Sequence, residues 1–198
     1  MHRRSAFARW GAVIALILLT ACNQADDPAI DASGTGTTST STTSSSSVPD
    51  AAAPPVSVPA TRERAYLTAV RADTKDDGGS RVVFEFDPVL PGYKVDYIER
   101  PVTMDGSGDE VKVAGEAVLE IIMENAAQAR FEGEKVIETY TGPPRLQPAG
   151  AGAVVEVVEA GDFEGLVHWV VGLRQKNAKI SVSTLSGPSR LVLDITPA

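Results

Sequence analysis

The clearest strand signal in the sequence is Arg81-Val82-Val83-Phe84-Glu85-Phe86. Val82, Phe84 and Phe86 would share one face of a strand, because successive side chains of a strand point to opposite sides. The charged residues between them would lie on the other face. This alternation predicts a strand with one buried and one wet face, in a sheet that covers a core.

Similar alternation recurs on both sides of this segment. A turn containing Asp76-Asp77-Gly78-Gly79 joins it to an earlier strand and predicts a hairpin, since these residue types accept a positive φ angle. The other predicted strands cover residues 66–71, 93–98, 111–113, 118–123, 154–158, 166–173, 180–184 and 191–195. Pro, Gly or Asn separate most of them. The pattern predicts an all-β fold, a β-sandwich of short, mostly antiparallel strands.

Residues 115–130 fit two structures. One face of an amphipathic helix would hold Val118, Ile121, Ile122 and Ala126. Leu119, Ile121 and Met123 alternate as in a strand. The strands on either side favour a strand over residues 118–123. An irregular stretch, or at most one short helix, is expected near residues 124–130.

Composition divides the chain into three parts. Residues 1–21 are apolar and basic, and residues 22–61 are mostly Ser, Thr, Ala and Pro. Residues 62–198 hold nearly all the aromatic and β-branched residues that can form a core. The middle part shows no apolar periodicity and cannot bury enough surface to offset the entropy of ordering, so we expect a disordered tether there.

Residues 1–22 have the layout of an export signal. Arginines precede an uncharged run from Trp10 to Leu19, which is too short to cross a bilayer, where about 20 apolar residues are needed. The run ends in Leu19-Thr20-Ala21-Cys22, which resembles the lipobox of bacterial lipoproteins. We therefore expect cleavage before Cys22, acylation of its thiol, and anchoring in membrane lipid at the extracytoplasmic face of the cell membrane.

The chain is strongly acidic. Removal of residues 1–21, which hold three arginines, leaves 15 basic and 26 acidic residues and a net charge of −11. Residues 62–198 keep 15 basic and 22 acidic residues, a net charge of −7. Nucleic acid is therefore not an expected partner. Cys22 is the only cysteine, so the folded part must be stable without disulfide bonds.

Little in the sequence points to catalysis or to a metal. Without the signal, His168 is the one histidine, and its place inside a predicted strand favours a hydrogen-bonded structural role. Two acidic turns imitate calcium loops, but residues 105–116 have Glu110 where glycine belongs, and residues 73–78 have Lys75 where a ligand belongs. We predict no catalytic residue, metal ligand or cofactor. A small envelope hydrolase that uses His168 is the disfavoured alternative.

Five segments carry a family resemblance through their order along the chain. They are Arg81–Phe86, Pro91-Gly92-Tyr93, Gly161-Asp162-Phe163-Glu164-Gly165, Trp169–Leu173 and Pro188–Ile195. Over about residues 64–196 the sequence resembles the AMIN-like domain of actinobacterial lipoproteins, and its end is similar to that of the AMIN domain of cell-wall amidases. The resemblance implies a β-sandwich that binds peptidoglycan or another wall polymer without catalysis. A protein–protein scaffold in an envelope complex is the alternative.

A glycan site would use an aromatic platform, because a flat ring covers the apolar face of a sugar while polar groups meet its hydroxyls. The candidate rings are Tyr93, Tyr97, Tyr140, Phe163 and Trp169, each of which fits the core as well, and the first three are assigned to the site. Tyr140 precedes a loop-like segment, Gly142-Pro143-Pro144-Arg145, which adds Arg145 as a polar candidate. These four residues form the predicted ligand site.

Overall fold

The fold is all-β in the computed structural model, which describes residues 53–198, and this confirms the predicted class. The strands in chain order are β1 (Val56–Val58), β2 (Ala65–Thr74), β3 (Ser80–Asp87), β4 (Gly92–Ile98), β5 (Val102–Thr103), β6 (Glu110–Val111), β7 (Ala117–Glu124), β8 (Ala126–Ala127), β9 (Ala129–Glu132), β10 (Lys135–Glu138), β11 (Arg145–Leu146), β12 (Val154–Phe163), β13 (Leu166–Leu173), β14 (Lys179–Leu185) and β15 (Ser189–Thr196). Within this part of the chain, no helix is long and apolar enough to span a membrane.

Two large sheets form the body of the domain. The first sheet has the order β14-β15-β3-β2-β8, and the second has the order β1-β4-β7-β13-β12-β11. Neighbours are antiparallel except for β2 and β8, which are parallel. Apolar side chains from both sheets form one core, so the sheets pack face to face as a sandwich.

The core is centred on Trp169 of β13. Its ring makes edge-to-face contacts with Phe84 of β3, at 6.0 Å between ring centroids, and with Tyr140, at 5.7 Å. Val82, Phe84 and Phe86 are at most 1% exposed, so the alternation in β3 predicted the buried face correctly. Burial of such rings is the main source of stability in a domain without disulfides.

A second, smaller core covers the outer face of the second sheet. Val158, Ala160 and Val170 lie on that face and pack against Val102 and Val111. The last two belong to β5 and β6, which pair with each other in a two-stranded sheet. We call residues 101–115, which contain this pair, the outer hairpin. The second sheet is therefore covered on both faces over this area.

Gly172 of β13 allows the outer hairpin to lie close to the sheet. A Cβ atom at this position would overlap the carbonyl oxygen of Ala114. A Cβ atom at Gly115, which has a φ of +116°, would lie 2.5 Å from the carbonyl oxygen of Leu173. The outer hairpin thus makes backbone-to-backbone contact with β13 at its end.

Residues 115–130, whose sequence fits either a helix or a strand, form strands. The predicted strand over residues 118–123 is confirmed by β7, but the stretch near residues 124–130 holds β8 and β9 in place of a short helix. Asn125 has a φ of +55°, and its Nδ2 donates hydrogen bonds to the carbonyls of Thr61 and Glu63. β8 pairs with β2 and β9 pairs with β10, so strand pairing satisfies the backbone of this segment and removes the need for helical hydrogen bonds.

The folded part begins before residue 62, the boundary that composition suggested. Val56–Val58 form β1 and pair with β4 at the edge of the second sheet. A Cβ atom at Gly92 would overlap the backbone of Ala60, so the chain also makes close contact just after β1. The predicted signal, Cys22 and the remaining tether, through residue 52, lie outside the described residues.

Candidate functional site

Tyr140 belongs mainly to the core. It is 8% exposed, and its hydroxyl donates a 2.7 Å hydrogen bond to the carbonyl of Pro143. The exposed edge of this residue lines an acidic hollow of about 420 Å³ with Glu159 and Asp162. Burial raises the pKa of the Tyr140 hydroxyl, and the charge of Glu159 raises it further. A ring held in this way offers little of its face to a ligand.

Tyr93 is also a core residue. It is 8% exposed, and the short strand β1 lies beside it, with Val58 directly opposite. Burial raises the pKa of its hydroxyl. The alternation that places Val95 in the core places Tyr93 there too, since the two residues share a face of β4.

Tyr97 is the most exposed of the three predicted rings. It lies near the end of β4 with 38% of its surface exposed, and its hydroxyl donates a 2.9 Å hydrogen bond to the carbonyl of Ala178. Burial of the remainder raises the pKa of the hydroxyl. Tyr97 lines a hollow of about 410 Å³ together with Glu99, Arg100, Glu116 and Lys176. Here a fixed, partly exposed ring lies among groups that form hydrogen bonds.

Arg145 is held by a buried carboxylate. Its Nη1 lies 2.6 Å from Oε1 of Glu156, and its Nη2 donates a 2.9 Å hydrogen bond to the carbonyl of Lys112. The Glu156 side chain is only 4% exposed and also accepts a 2.7 Å hydrogen bond from the amide of Ala114. Burial alone would raise the pKa of Glu156, but these donors, with Gln147, lower it below its usual value. The carboxylate is therefore ionised and fixes Arg145 in place.

Arg100 connects the surroundings of Tyr97 and Arg145. It lines the Tyr97 hollow and also a second hollow of about 420 Å³, which it shares with Lys112, Arg145 and Glu156. Its Nη2 donates hydrogen bonds to the carbonyls of Val113, at 3.1 Å, and Gly115, at 2.8 Å. We call these two hollows together the Arg100 surface.

Sequence reasoning missed Arg100. The structure brings Tyr97 and Arg145, two of the four predicted residues, to the Arg100 surface, and leaves Tyr93 and Tyr140 elsewhere. The signal that could have found Arg100 is an arginine directly after the end of a predicted strand and before Pro101, in a setting typical of an exposed loop. Nothing in one sequence shows that this loop folds back toward Arg145.

His168 lies between two carboxylates on the outer face of the second sheet. Its Nδ1 is 3.2 Å from Oδ1 of Asp105, and its Nε2 is 3.1 Å from Oε1 of Glu120, although that second contact lacks good hydrogen-bond alignment. Burial lowers the pKa of His168, but the nearby Glu120 and Asp105 outweigh it, so the pKa is raised above its usual value. Both ring nitrogens face carboxylates, an arrangement that fits a structural imidazolium better than a general base.

The two acidic turns have other partners. Asp105 approaches His168, and Ser107 accepts a hydrogen bond from the amide of Asp109. In the other turn, Lys75 pairs with Asp194, and Asp77 caps the amide of Gly79. Among residues 53–198, no group of three or more His, Cys, Asp or Glu side chains is arranged to hold a metal ion.

The family model for the AMIN-like domain matches residues 65–197, from the start of β2 to one residue past the end of β15. The chain belongs to the AMIN-like domain family. Its domains are generally non-catalytic binding modules related to peptidoglycan, and they imply an envelope location. No curated protein and no solved structure matches the sequence significantly.

The AMIN-like domain brings both signs of charge to the Arg100 surface. Its two hollows are lined by four basic and four acidic side chains: Arg100, Lys112, Arg145 and Lys176, and Glu99, Glu110, Glu116 and Glu156. Glu156 lies buried against Arg145, and Glu110 lies 2.6 Å from Lys112. Arg100 donates to backbone carbonyls instead, so its charge is not paired with a carboxylate in the described part of the chain, which favours a polar ligand that carries an anionic group.

Proposed function

We propose that this protein is a cell-envelope lipoprotein, anchored through acylated Cys22 at the extracytoplasmic face of the membrane, whose AMIN-like domain binds peptidoglycan or another wall polymer without catalysis. The observation that carries the proposal is the family match over nearly the whole folded part. A family of envelope binding modules supports a binding role in the wall, and the lipobox-like Leu19-Thr20-Ala21-Cys22 supports the anchor.

The Arg100 surface is the proposed glycan-binding site. Tyr97 offers a partly exposed ring whose position is fixed by its hydrogen bond to Ala178. Glu99, Glu116 and Lys176 line the same hollow and supply acceptors and donors for sugar hydroxyls. A ring with polar groups around it is the arrangement that carbohydrate recognition needs.

Sedimentation with insoluble peptidoglycan tests this site. The unlipidated chain from Asn23 onward should bind in a saturable manner, and Tyr97→Ala should weaken binding about tenfold, because stacking of a flat group on an aromatic ring contributes on the order of 1–3 kcal/mol. Tyr97→Phe keeps the ring and should bind nearly as the unchanged chain does. Phe131→Ala removes an exposed ring elsewhere and serves as the control. Equal binding by all variants would exclude Tyr97 as the platform.

Metabolic labelling tests the anchor. Cells that express the full chain are grown with an alkyne-bearing palmitate analogue, and the protein is isolated from membranes. We expect label and membrane retention in the unchanged chain and the loss of both in Cys22→Ser. Ser47→Ala is a control change in the same predicted tether. Label that persists in Cys22→Ser would refute acylation at this position.

One observation favours the alternative role as a protein scaffold. Phe131 and Val136 lie directly opposite each other in the β9–β10 pair and are 77% and 58% exposed. An exposed apolar pair of this kind is typical of contact surfaces between proteins. If Phe131→Glu abolishes a cross-link to an envelope protein in intact cells and leaves wall binding unchanged, the scaffold role is supported.

A further inference from the structure

Arg100 and Arg145 converge on one hollow from distant parts of the chain. Arg100 follows β4 and precedes the outer hairpin, whereas Arg145 lies in β11 at the opposite edge of the second sheet. The hollow has a volume of about 420 Å³. Valines of the outer hairpin, among them Val111 and Val113, form part of its wall.

Each arginine uses only some of its guanidinium nitrogens for contacts within the protein. Nη2 of Arg100 donates to the carbonyls of Val113 and Gly115, while its Nε and Nη1 have no hydrogen-bond partner among residues 53–198. Arg145 uses Nη1 and Nη2 for Glu156 and Lys112, and its Nε likewise has no partner in this part of the chain. Both groups keep donors available in a fixed geometry.

The buried Glu156 supports this interpretation. A carboxylate that is 4% exposed is costly to desolvate, and a buried ion pair adds little net stability compared with apolar residues of similar size. Its effect in this place is to hold Arg145, which is 42% exposed, at the rim of the hollow. Preorganised guanidinium donors are well suited to oxyanions, because their geometry matches the oxygens of carboxylates and phosphates.

We propose that the hollow between Arg100 and Arg145 is a subsite for an oxyanion, a carboxylate or phosphate group of the bound wall polymer. This inference rests on the proposed wall binding and adds the chemical class that the polymer must present. Tyr97 lies in the adjoining hollow, so a sugar on its ring and an anionic substituent at Arg100 would be bound side by side. Uncharged glycan alone would occupy only the Tyr97 part.

Binding to three wall preparations tests the subsite and separates the two sources of oxyanion. The preparations are native wall, wall freed of phosphate polymers with hydrofluoric acid, and purified peptidoglycan whose carboxylates have been amidated. Arg100→Gln should weaken binding to native wall about tenfold, the value of one charge-assisted hydrogen-bonded contact. Arg190→Gln removes the same charge from a half-buried position on β15, in the other sheet, and should change binding less than twofold. Loss of binding after acid treatment identifies phosphate, and loss after amidation identifies carboxylate.

Two further readouts keep the subsite distinguishable from the proposed function. Arg100→Lys keeps the charge but not the planar donors, so it should bind more weakly than the unchanged chain. Titration with inorganic phosphate, followed by the NMR signal of the Arg100 Nε–H group, tests the subsite without any wall.

Wall binding that is insensitive to Arg100→Gln, amidation and acid treatment overturns the subsite and leaves the proposed function intact. Absence of wall binding, with a saturable phosphate response at Arg100, overturns the proposed function and leaves the subsite. If the chain does not bind wall and Arg100 does not respond to phosphate, both the subsite and the proposed function are overturned.

Discussion

Gly172→Ala is expected to displace the outer hairpin from the second sheet. The added Cβ atom would overlap the carbonyl oxygen of Ala114 and would lie 3.1 Å from the carbonyl carbon of Ala114 and from Cγ1 of Val113. Since unbonded carbon and oxygen atoms normally approach to about 3.3 Å, the backbone of Ala114 must move by about 1 Å or more. β13 cannot yield instead, because β7 and β12 pair with it on both sides.

The expected loss of stability follows from two effects. Overpacking of this kind costs about 1–3 kcal/mol, and the movement also weakens the 2.7 Å hydrogen bond from the Ala114 amide to Glu156. Where the backbone accepts alanine, a glycine-to-alanine change stabilises a protein by about 0.4–1 kcal/mol, because it reduces the conformational entropy of the unfolded chain. We therefore expect unfolding to require about 2 kcal/mol less free energy than in the unchanged chain, by the balance of these terms.

Urea unfolding provides the assay. In the chain from Asn23 onward, Trp169 is the one tryptophan and is fully buried, so its fluorescence reports on the core. A loss of about 2 kcal/mol should lower the urea midpoint by about 1 M, given a slope near 2 kcal/mol per M for a domain of this size. Gly133→Ala is the control, because Gly133 has a φ of +63° and a Cβ atom there would have no neighbour within 4 Å, so only backbone strain is added.

Local detachment of the outer hairpin would leave the midpoint unchanged, so hydrogen exchange is measured as well. Amides of residues 101–115 should exchange faster in Gly172→Ala than in the control, because their protection depends on contact with the sheet. If both the midpoint and the exchange of the outer hairpin match those of the unchanged chain, the reasoning about Gly172 is wrong.

Three further predictions concern side chains whose contacts the structure defines. Asp194→Asn should lower the free energy of unfolding by about 1 kcal/mol at neutral pH. Hydrogen bonds from Arg81 hold the pKa of Asp194 below its usual value, against the opposing effect of burial. The difference in urea midpoint should therefore be present above the ordinary carboxyl pKa and disappear as the pH falls through the lowered pKa. His168 has a raised pKa, so its charged contacts should stabilise the fold fully below the ordinary histidine pKa and lose this effect as the pH rises through the raised pKa. Urea unfolding of the unchanged chain and of His168→Gln between about pH 5.5 and 9 checks this prediction. A difference in stability that does not depend on pH would contradict it. Tyr140→Phe removes the hydrogen bond to Pro143 and keeps the ring contact with Trp169, so thermal unfolding should show a loss of only about 1 kcal/mol, and a loss of several would mean that the ring packing had changed.

Much of the sandwich could be predicted because strand periodicity reflects burial directly. In β3 and β4 the apolar positions that alternate in the sequence are those that face the core, and Val82, Phe84 and Val95 are fully buried. The outer hairpin could not be predicted in the same way. Its strands have two residues each, too few to show a period, and its packing depends on Gly172, far along the chain.

The candidate site was predicted only in part for a related reason. Tyr93 and Tyr97 belong to the same alternation on β4, but β1 covers the first and leaves the second at the end of the strand. Which of two similar rings is exposed therefore depends on a neighbouring strand that composition placed in a disordered tether. Arg100 and Arg145 become neighbours only through the outer hairpin, so no local pattern could join them.

The buried Glu156 couples the stability of the outer hairpin to the geometry of the Arg100 surface. One carboxylate accepts hydrogen bonds from Ala114, in the outer hairpin, and from Arg145, in the hollow, while Arg100 is held by carbonyls of the same hairpin. Displacing the hairpin with Gly172→Ala should therefore weaken both folding and oxyanion binding. Arg100→Gln should weaken binding alone, and Asp194→Asn, on the other sheet, should weaken folding alone. This pattern of three variants separates a preorganised binding surface from a set of independent surface charges, for which Gly172→Ala would leave binding unchanged.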